Sequence, residues 1–507
     1  MLFFVCCLFP IGYLLFLSLS GTDTAYTALW LDARQRGLLS NTALLGTGTA
    51  LLATAIGAPL GLGLARIALP RKAVLRVALA APVLLPPYIV ALAWTYLGSS
   101  RGVLAALAGR DLSEWTYSLP AAVIVLSLVF YPLSMLATEV AMRRVDGRLE
   151  EAALVVAPAG RVLWRITLPL AAPSVFAAAL VIFVLAVSEF GVPGLLRVRV
   201  YTTEVFTAFA ALYDFSRAIL VAVPLLVLSL VVAVLAAAIL GERLVSTGRG
   251  SAPPPVLLDA WRRPAALAAV VVVSVALGVP LVVLVREALG IQSWSAVVDG
   301  SGDAIANSLL LAAAGATAVV GVAVWLGYAR ARAPGRIGQI ADVLLLVVFA
   351  VPSTIVGVGL IGLWNRPGPL GAVYGTDVMF LLAYLARFVP VAALALAAST
   401  RYVPVSHEEA AAVAGAGWLR TMSRIVLPQI RLGVVAAWVI AFILAFGELG
   451  VSILVAPPGE TTLPIRIYTI IANAPSSHVA ALALLQATVV FVPLAVLGAV
   501  ARVREAG

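Results

Sequence analysis

Two acidic-alanine runs hold the residues best placed to do work in this chain: Glu150-Glu151-Ala152-Ala153 and Glu408-Glu409-Ala410-Ala411. Such a run starts a helix well, because carboxylates favour its positive N-terminal end and alanine costs least to hold helical. A break in small residues follows each, Ala157-Pro158-Ala159-Gly160 in the first and Gly415-Ala416-Gly417 in the second. Then comes an amphipathic stretch, with Leu163, Trp164, Ile166 and Leu168 in one copy and Leu419, Met422, Ile425 and Leu427 in the other. Pro169 and Pro428 close the two motifs, suited to the first turn of the next helix. The pattern predicts a short helix, a tight turn and a second short helix. An apolar face in so short a segment has no core of its own. It packs on a bundle, lies on lipid as an interfacial helix, or docks in the groove of a soluble partner. Two copies in equivalent positions favour docking.

A second group of charges falls inside apolar runs. Glu189 and Glu448 occupy equivalent stretches and each precedes a glycine, with Gly191-Val192-Pro193 expected to interrupt the first helix. A carboxylate at membrane depth faces a cavity or a partner. Two of them across a pathway favour a cationic solute. The alternatives are wet outer vestibules at shorter spans, or an ion pair between Glu448 and Arg387, the one basic residue drawn in mid-span. Pro86-Pro87 and Pro352 mark matching kinks, for gating or for packing. His407 and His478 are lone histidines, and Cys6-Cys7 are adjacent, so neither type forms a metal or disulfide framework.

These residues need a membrane to position them. Of 507 residues, 63% are hydrophobic and only 11% charged, against about 25% charged in soluble domains. Unbroken apolar runs read as helices, since lipid leaves the backbone no partner but itself. Spans are expected near 2–20, 40–65, 77–98, 118–141, 172–195, 218–241, 265–285, 306–329, 340–364, 378–400, 432–455 and 480–501, close to the roughly 20 residues a bilayer requires. The first is taken as an uncleaved span, because it lacks the basic start of a signal peptide. With a cytoplasmic N-terminus, inside loops hold 22 of the 33 basic residues and outside loops 10. That skew predicts both termini in the cytoplasm. It also accounts for the net charge of +10 without a nucleic-acid partner.

The chain is a duplication. The acidic pairs repeat at an offset of 258, Leu168-Pro169 and Leu427-Pro428 at 259, and Glu189 and Glu448 at 259. Thr202-Thr203 and Thr461-Thr462 also differ by 259, while Asn41 and Asn307, and Pro86 and Pro352, differ by 266. Six matches in one order define two repeats. The expected organisation is all-α and polytopic, with about twelve transmembrane helices in two parallel six-helix halves. These are residues 1–241 and 265–507, joined by a Gly/Pro/Ser-rich cytoplasmic linker at 242–264. A solute pathway is expected between such halves.

The run Glu-Ala-Ala, then Gly, then Ile-x-Leu-Pro resembles the EAA loop of ABC importer permeases. The second copy matches through Glu409, Ala410, Ala411, Gly415 and Leu427-Pro428; in the first, Ala157 stands where glycine is expected and the spacing to Pro169 is one residue shorter. The two-half layout, and Glu189 to Pro193 with its acidic-Phe-Gly stretch, are similar to the fused permeases of the iron(III) group, whose relatives carry thiamine, phosphonates and polyamines. The resemblance implies ATPase coupling through Glu151, Ala152, Ala153, Gly160, Glu409, Ala410, Ala411, Gly415 and Gly417. It implies two ATPase subunits on the cytoplasmic side, a soluble binding protein outside, and residence in a bacterial inner membrane.

No Gly-x-x-x-x-Gly-Lys-Ser/Thr phosphate loop occurs, so ATP is expected on partner subunits and no cofactor on this chain. No catalytic cluster stands out, which fits a non-enzymatic translocation subunit rather than a membrane enzyme. An ion-coupled secondary transporter, with Glu189 and Glu448 as proton carriers, is the rival class.

Overall fold

Long uncharged apolar runs, started by short polar caps, build this protein. Asp32 accepts the amide of Arg34 at 3.1 Å, Ser118 that of Ala121 at 3.4 Å and Asp146 that of Arg148 at 3.1 Å, each satisfying a donor that a helix start leaves free. The computed structural model describes residues 9–20, 32–100, 102–244, 261–291 and 294–505. Among the described residues all regular structure is helical. The protein is an all-α, polytopic membrane protein.

The order of the main helices repeats. The first series is α1 (Phe9–Ser20), α2 (Ala33–Arg66), α3 (Lys72–Ala80), α4 (Pro87–Gly98), α5 (Leu119–Arg144), α6 (Gly147–Leu154), α7 (Ala159–Ser188) and α8 (Phe215–Leu244). The second is α9 (Arg262–Ala288), α10 (Gly302–Arg332), α11 (Gly335–Ala350), α12 (Ser353–Trp364), α13 (Val378–Thr400), α14 (Val405–Val413), α15 (Trp418–Phe446) and α16 (Ser476–Glu505). Among the described residues ten helical runs are long and apolar enough to cross a membrane, eleven when α11 and α12 count as one. Helix α1 has twelve described residues at the place of the first expected span. Residues 2–8 of that span, with Cys6 and Cys7, and residues 245–260 of the expected linker lie outside the described residues.

Compact units and sequence repeats are different divisions of the chain. One unit comprises Thr22–Ile291 and Ser476–Leu484; the other comprises Met1–Gly21, Gln292–Pro475 and Leu485–Gly507. Each thus takes in the first helix of the opposite series. Helix α9 packs on α3 and α4, and α1 packs on α12, where the backbone of Pro10 comes within van der Waals reach of Gly359.

Within each unit the second and fifth helices of the series form the tightest pair. A Cβ on Gly61 would collide with the Met135 carbonyl oxygen, and one on Gly327 would sit 2.9 Å from that of Ala393. Small residues let helices touch backbone to backbone where apolar burial gives no advantage over lipid.

The two proline breaks are real. Pro86 caps α4 at φ −55°, ψ 127°, and Pro352 caps α12 at φ −56°, ψ 142°. The bend between α11 and α12 is 90°. The spans drawn at 77–98 and 340–364 are therefore each two helices. A residue before proline is pushed out of the helical region, which is where Leu85 and Val351 lie, at ψ 134° and 124°.

Candidate functional site: the paired Glu-Ala-Ala loops

Each loop follows the fifth helix of its series, and its first glutamate is a foundation rather than a contact. Arg66, the last residue of α2, places Nη2 2.7 Å from Glu150 Oε1 and also donates to the Met142 carbonyl at 3.0 Å. Thr167 donates to the same Glu150 oxygen at 2.6 Å. Arg66 and Glu150 are 1% and 0% exposed. In the second unit Arg332, the last residue of α10, pairs with Glu408, donates to the Val403 carbonyl at 3.0 Å, and leaves Glu408 Oε2 to the Tyr328 hydroxyl at 2.6 Å. Arg66 and Arg332 are 266 residues apart, the offset of the other early repeat matches. The same ion pair therefore pins each loop to the second helix of its series. Sequence reasoning missed it, although the matching arginine offset was readable.

The second glutamate and its neighbours face outward. Glu151, Ala152, Glu409 and Ala410 are exposed, whereas Ala153 is partly covered and Ala411 is buried. Apolar side chains stand out beside them. Val155 and Val156 are 84% and 83% exposed, and Val413 is 91%. Trp164 and Leu419 are exposed as well. The opposite face packs inward. Met422, Val426 and Ile430 cluster with Val403, and Leu168 packs against Ala141, Met142 and Ala171. The arrangement offers a partner an apolar ridge with a carboxylate beside it.

The turns differ between copies for a defined reason. In the second, Gly415 adopts φ +79°, its amide donates to the Ala412 carbonyl at 3.0 Å, and the Ala416 amide reaches back to Ala411 at 2.9 Å. This is a left-handed glycine closure of α14. In the first copy Ala157 keeps a negative φ and donates to Ala153 at 2.9 Å. The helix stops because Pro158, the next residue, has no N–H to continue it. Pro158 and Gly417 then serve as equivalent caps, with ψ 151° and 161°. Gly160 is already inside the next helix, one residue beyond the first.

The second short helix of the expected motif is not separate. Ala159–Ser188 and Trp418–Phe446 run on through a π-helical turn, at Leu163–Thr167 and Met422–Val426. Proline is the cause. Pro169 and Pro428 cannot donate to Arg165 and Arg424, and the turn widens so that Leu168 and Leu427 bond five residues back. The loop's outer arm is thereby rigidly joined to a membrane helix.

Glu189 and Glu448 are not in mid-helix. Helix α7 ends at Ser188 and α15 at Phe446, short of the expected 195 and 455. Both glutamates are half-buried at the break. Glu189 Oε1 accepts the Gly191 amide at 2.9 Å, and Glu448 Oε1 accepts the Val451 amide at 3.0 Å. Each caps the short turn that follows. Apolar Gly-Val-Pro continues the hydropathy past the true end, which is why the sequence reading overran it. Arg387 does not pair with Glu448. Its Nη1 donates to the Val351 carbonyl at 2.7 Å, an acceptor freed by the Pro352 break, and its buried Nε has no partner.

Comparison with known proteins places the chain among transport permeases. Residues 319–503 match the family described as binding-protein-dependent transport system inner membrane component. The Fe(3+)-transport system permease protein FbpB 2 of Haemophilus influenzae is 23% identical over 466 residues, covering 90% of this chain and 88% of its own. A putative ABC transporter permease, ORF1 of Streptomyces antibioticus, is 32% identical over 160 residues, 31% of this chain and 68% of its own. The molybdenum transport system permease ModB of Mycobacterium tuberculosis is 29% identical over 261 residues, 49% of this chain and 96% of its own. The chain belongs to the ABC importer permeases, the membrane component of binding-protein-dependent transport. Within that family it stands with the iron and thiamine-like group.

Proposed function

We propose that this permease moves ferric iron inward by alternating access, driven by two separate ATPase subunits that grip the α6–α7 and α14–α15 loops. A soluble binding protein delivers the cargo at the outer face. Both termini lie in the cytoplasm of a bacterium, and ATP is held by the partners with no cofactor on this chain. The observation that carries the reading is the build of each loop: one glutamate locked to Arg66 or Arg332, the next exposed among apolar side chains. A push on the ridge passes through the ion pair to the second helix, and through the continuous α7 or α15 into the bundle. The test is co-purification of the ATPase with a Glu151→Lys/Glu409→Lys double variant. Loss of the ATPase and of transport is expected, and full retention of both would overturn the docking role.

A second reading concerns cargo alone. Both glutamates spend an oxygen on capping backbone amides, while Arg387 carries a buried, unpartnered N–H near the middle of α13. That favours an oxyanion. Thiamine, phosphonates and polyamines complete the set of candidates from the family resemblance. Uptake by vesicles loaded with the partner ATPase, compared over these solutes and iron, separates them.

A further inference from the structure

Beside the first loop the unit formed by Thr22–Ile291 contains an open apolar groove of about 580 Å³. The end of α2 forms one wall (Pro59, Leu62, Gly63), the start of α7 another (Gly160, Leu163, Trp164), and the start of α9 a third (Trp261, Ala265, Ala268). Two features make it more than a lipid-facing crease. Trp164 and Trp261 on its walls are largely exposed, as indoles at a membrane interface are. Exposed cations also follow its lining residues directly in the chain: Arg161 after Gly160, Arg165 after Trp164, and Arg262 and Arg263 between Trp261 and Pro264. None of these four forms an ion pair among the described residues.

The other repeat shows what fills such a place when protein does. The positions equivalent to Pro59 and Leu62 are Trp325 and Tyr328, and Trp418 stands where Ala159 does. The Trp418 ring lies 5.2 Å from Trp325 and 6.1 Å from Tyr328. Aromatic side chains occupy in one unit what small and aliphatic residues leave open in the other.

We propose that the groove is a binding site for an anionic phospholipid, with an acyl chain along α2, α7 and α9 and its phosphate held by the flanking arginines. Exposed arginines next in the chain to the walls of an apolar slot fit that one ligand, since a neutral lipid leaves the arginines unused and a free phosphate leaves the slot empty. Because Gly160, Leu163 and Trp164 belong to the first loop, the lipid braces that loop and not its counterpart. The proposal goes beyond the transport reading, and its test reads lipid alone.

The purified full chain is titrated in detergent with phosphatidylglycerol or phosphatidylcholine brominated on the acyl chains, and tryptophan quenching is followed. Phosphatidylglycerol is expected to half-quench at a roughly five-fold or more lower mole fraction, the effect of even one arginine at a membrane surface. The Arg262→Gln/Arg263→Gln variant should bring the two lipids together. The Trp164→Phe/Trp261→Phe variant should lose the selective component, and Ala268→Phe, which plugs the slot, should weaken it without touching a charge. Competition by glycerol phosphate alone would show headgroup binding without the chain and overturn the proposal. So would equal quenching by both lipids in the unmodified chain. Quenching that appears only after Val256, Leu257 and Leu258 are changed to serine would assign the slot to the 245–260 segment instead, with the same result.

Discussion

The two loops share a foundation and differ in almost everything built on it. Both rest on an arginine at the end of a second helix and on the first glutamate of an acidic pair. The first pair is sealed, whereas Arg332 and Glu408 keep 18% and 14% of their side chains in contact with solvent. The first turn is closed by proline and the second by a left-handed glycine. The first loop borders an open groove, and the second is backed by tilted and edge-on aromatic rings. Duplication has kept the ion pair at the base of each loop and let the turn and its surroundings diverge.

The largest expected effect breaks the shared part. Arg66→Ala leaves Glu150 buried without its counter-charge, which costs about 3–5 kcal/mol. Arg332→Ala leaves Glu408 with Tyr328 and partial solvent, and costs about 1–3 kcal/mol. Thermal unfolding in detergent should rank them in that order, and equal shifts would mean that the difference in burial is of no consequence. The turn comes next. Gly415→Ala forces a side chain into left-handed backbone at about 1–2 kcal/mol, while Ala157→Gly relieves nothing and loosens a helix end by about 0.5–1 kcal/mol. Hydrogen exchange over 405–428 and 147–169 reads both. Faster exchange in the second loop alone is expected from the first substitution, and unchanged exchange there would remove the glycine from the account. The smallest effect tests the aromatic backing. Trp418→Leu, which keeps an apolar side chain in place but removes the ring, should cost about 0.5–1.5 kcal/mol, the worth of a ring pair beyond its buried area. A larger loss would show that the ring also holds Tyr328 against Glu408.

Much of this was legible in the sequence because it is repeated there. The helical class, the doubled series and both loops follow from apolar runs and from matches at fixed offsets. Pro86 and Pro352 marked true breaks because the residue before a proline leaves the helix wherever it sits. Other features depend on what hydropathy does not record. Glu189 and Glu448 were placed inside spans because Gly191-Val192-Pro193 and the residues after Glu448 are as apolar as a helix, although the carboxylates end one. Arg387 invited a carboxylate partner, yet a backbone carbonyl freed by a proline in another helix was the nearer acceptor. The division between Glu150 and Glu151 was hidden for the same reason: adjacent residues of one type point to different sides of a helix, and only Arg66, at the end of α2, tells which is inside.

The exchange of first helices has a consequence for how the chain comes into being. Helix α1 leaves the ribosome early, but its neighbour α12 follows more than three hundred residues later. At about 5–20 residues per second, that is a wait of tens of seconds in the bilayer. The earlier-made unit likewise waits for α9, from beyond the 245–260 segment, and for Ser476–Leu484. A chain cut in that segment would yield two fragments, each carrying a helix that belongs to the other's fold. Neither should mature alone, and expressed together they should rescue one another by trading those helices.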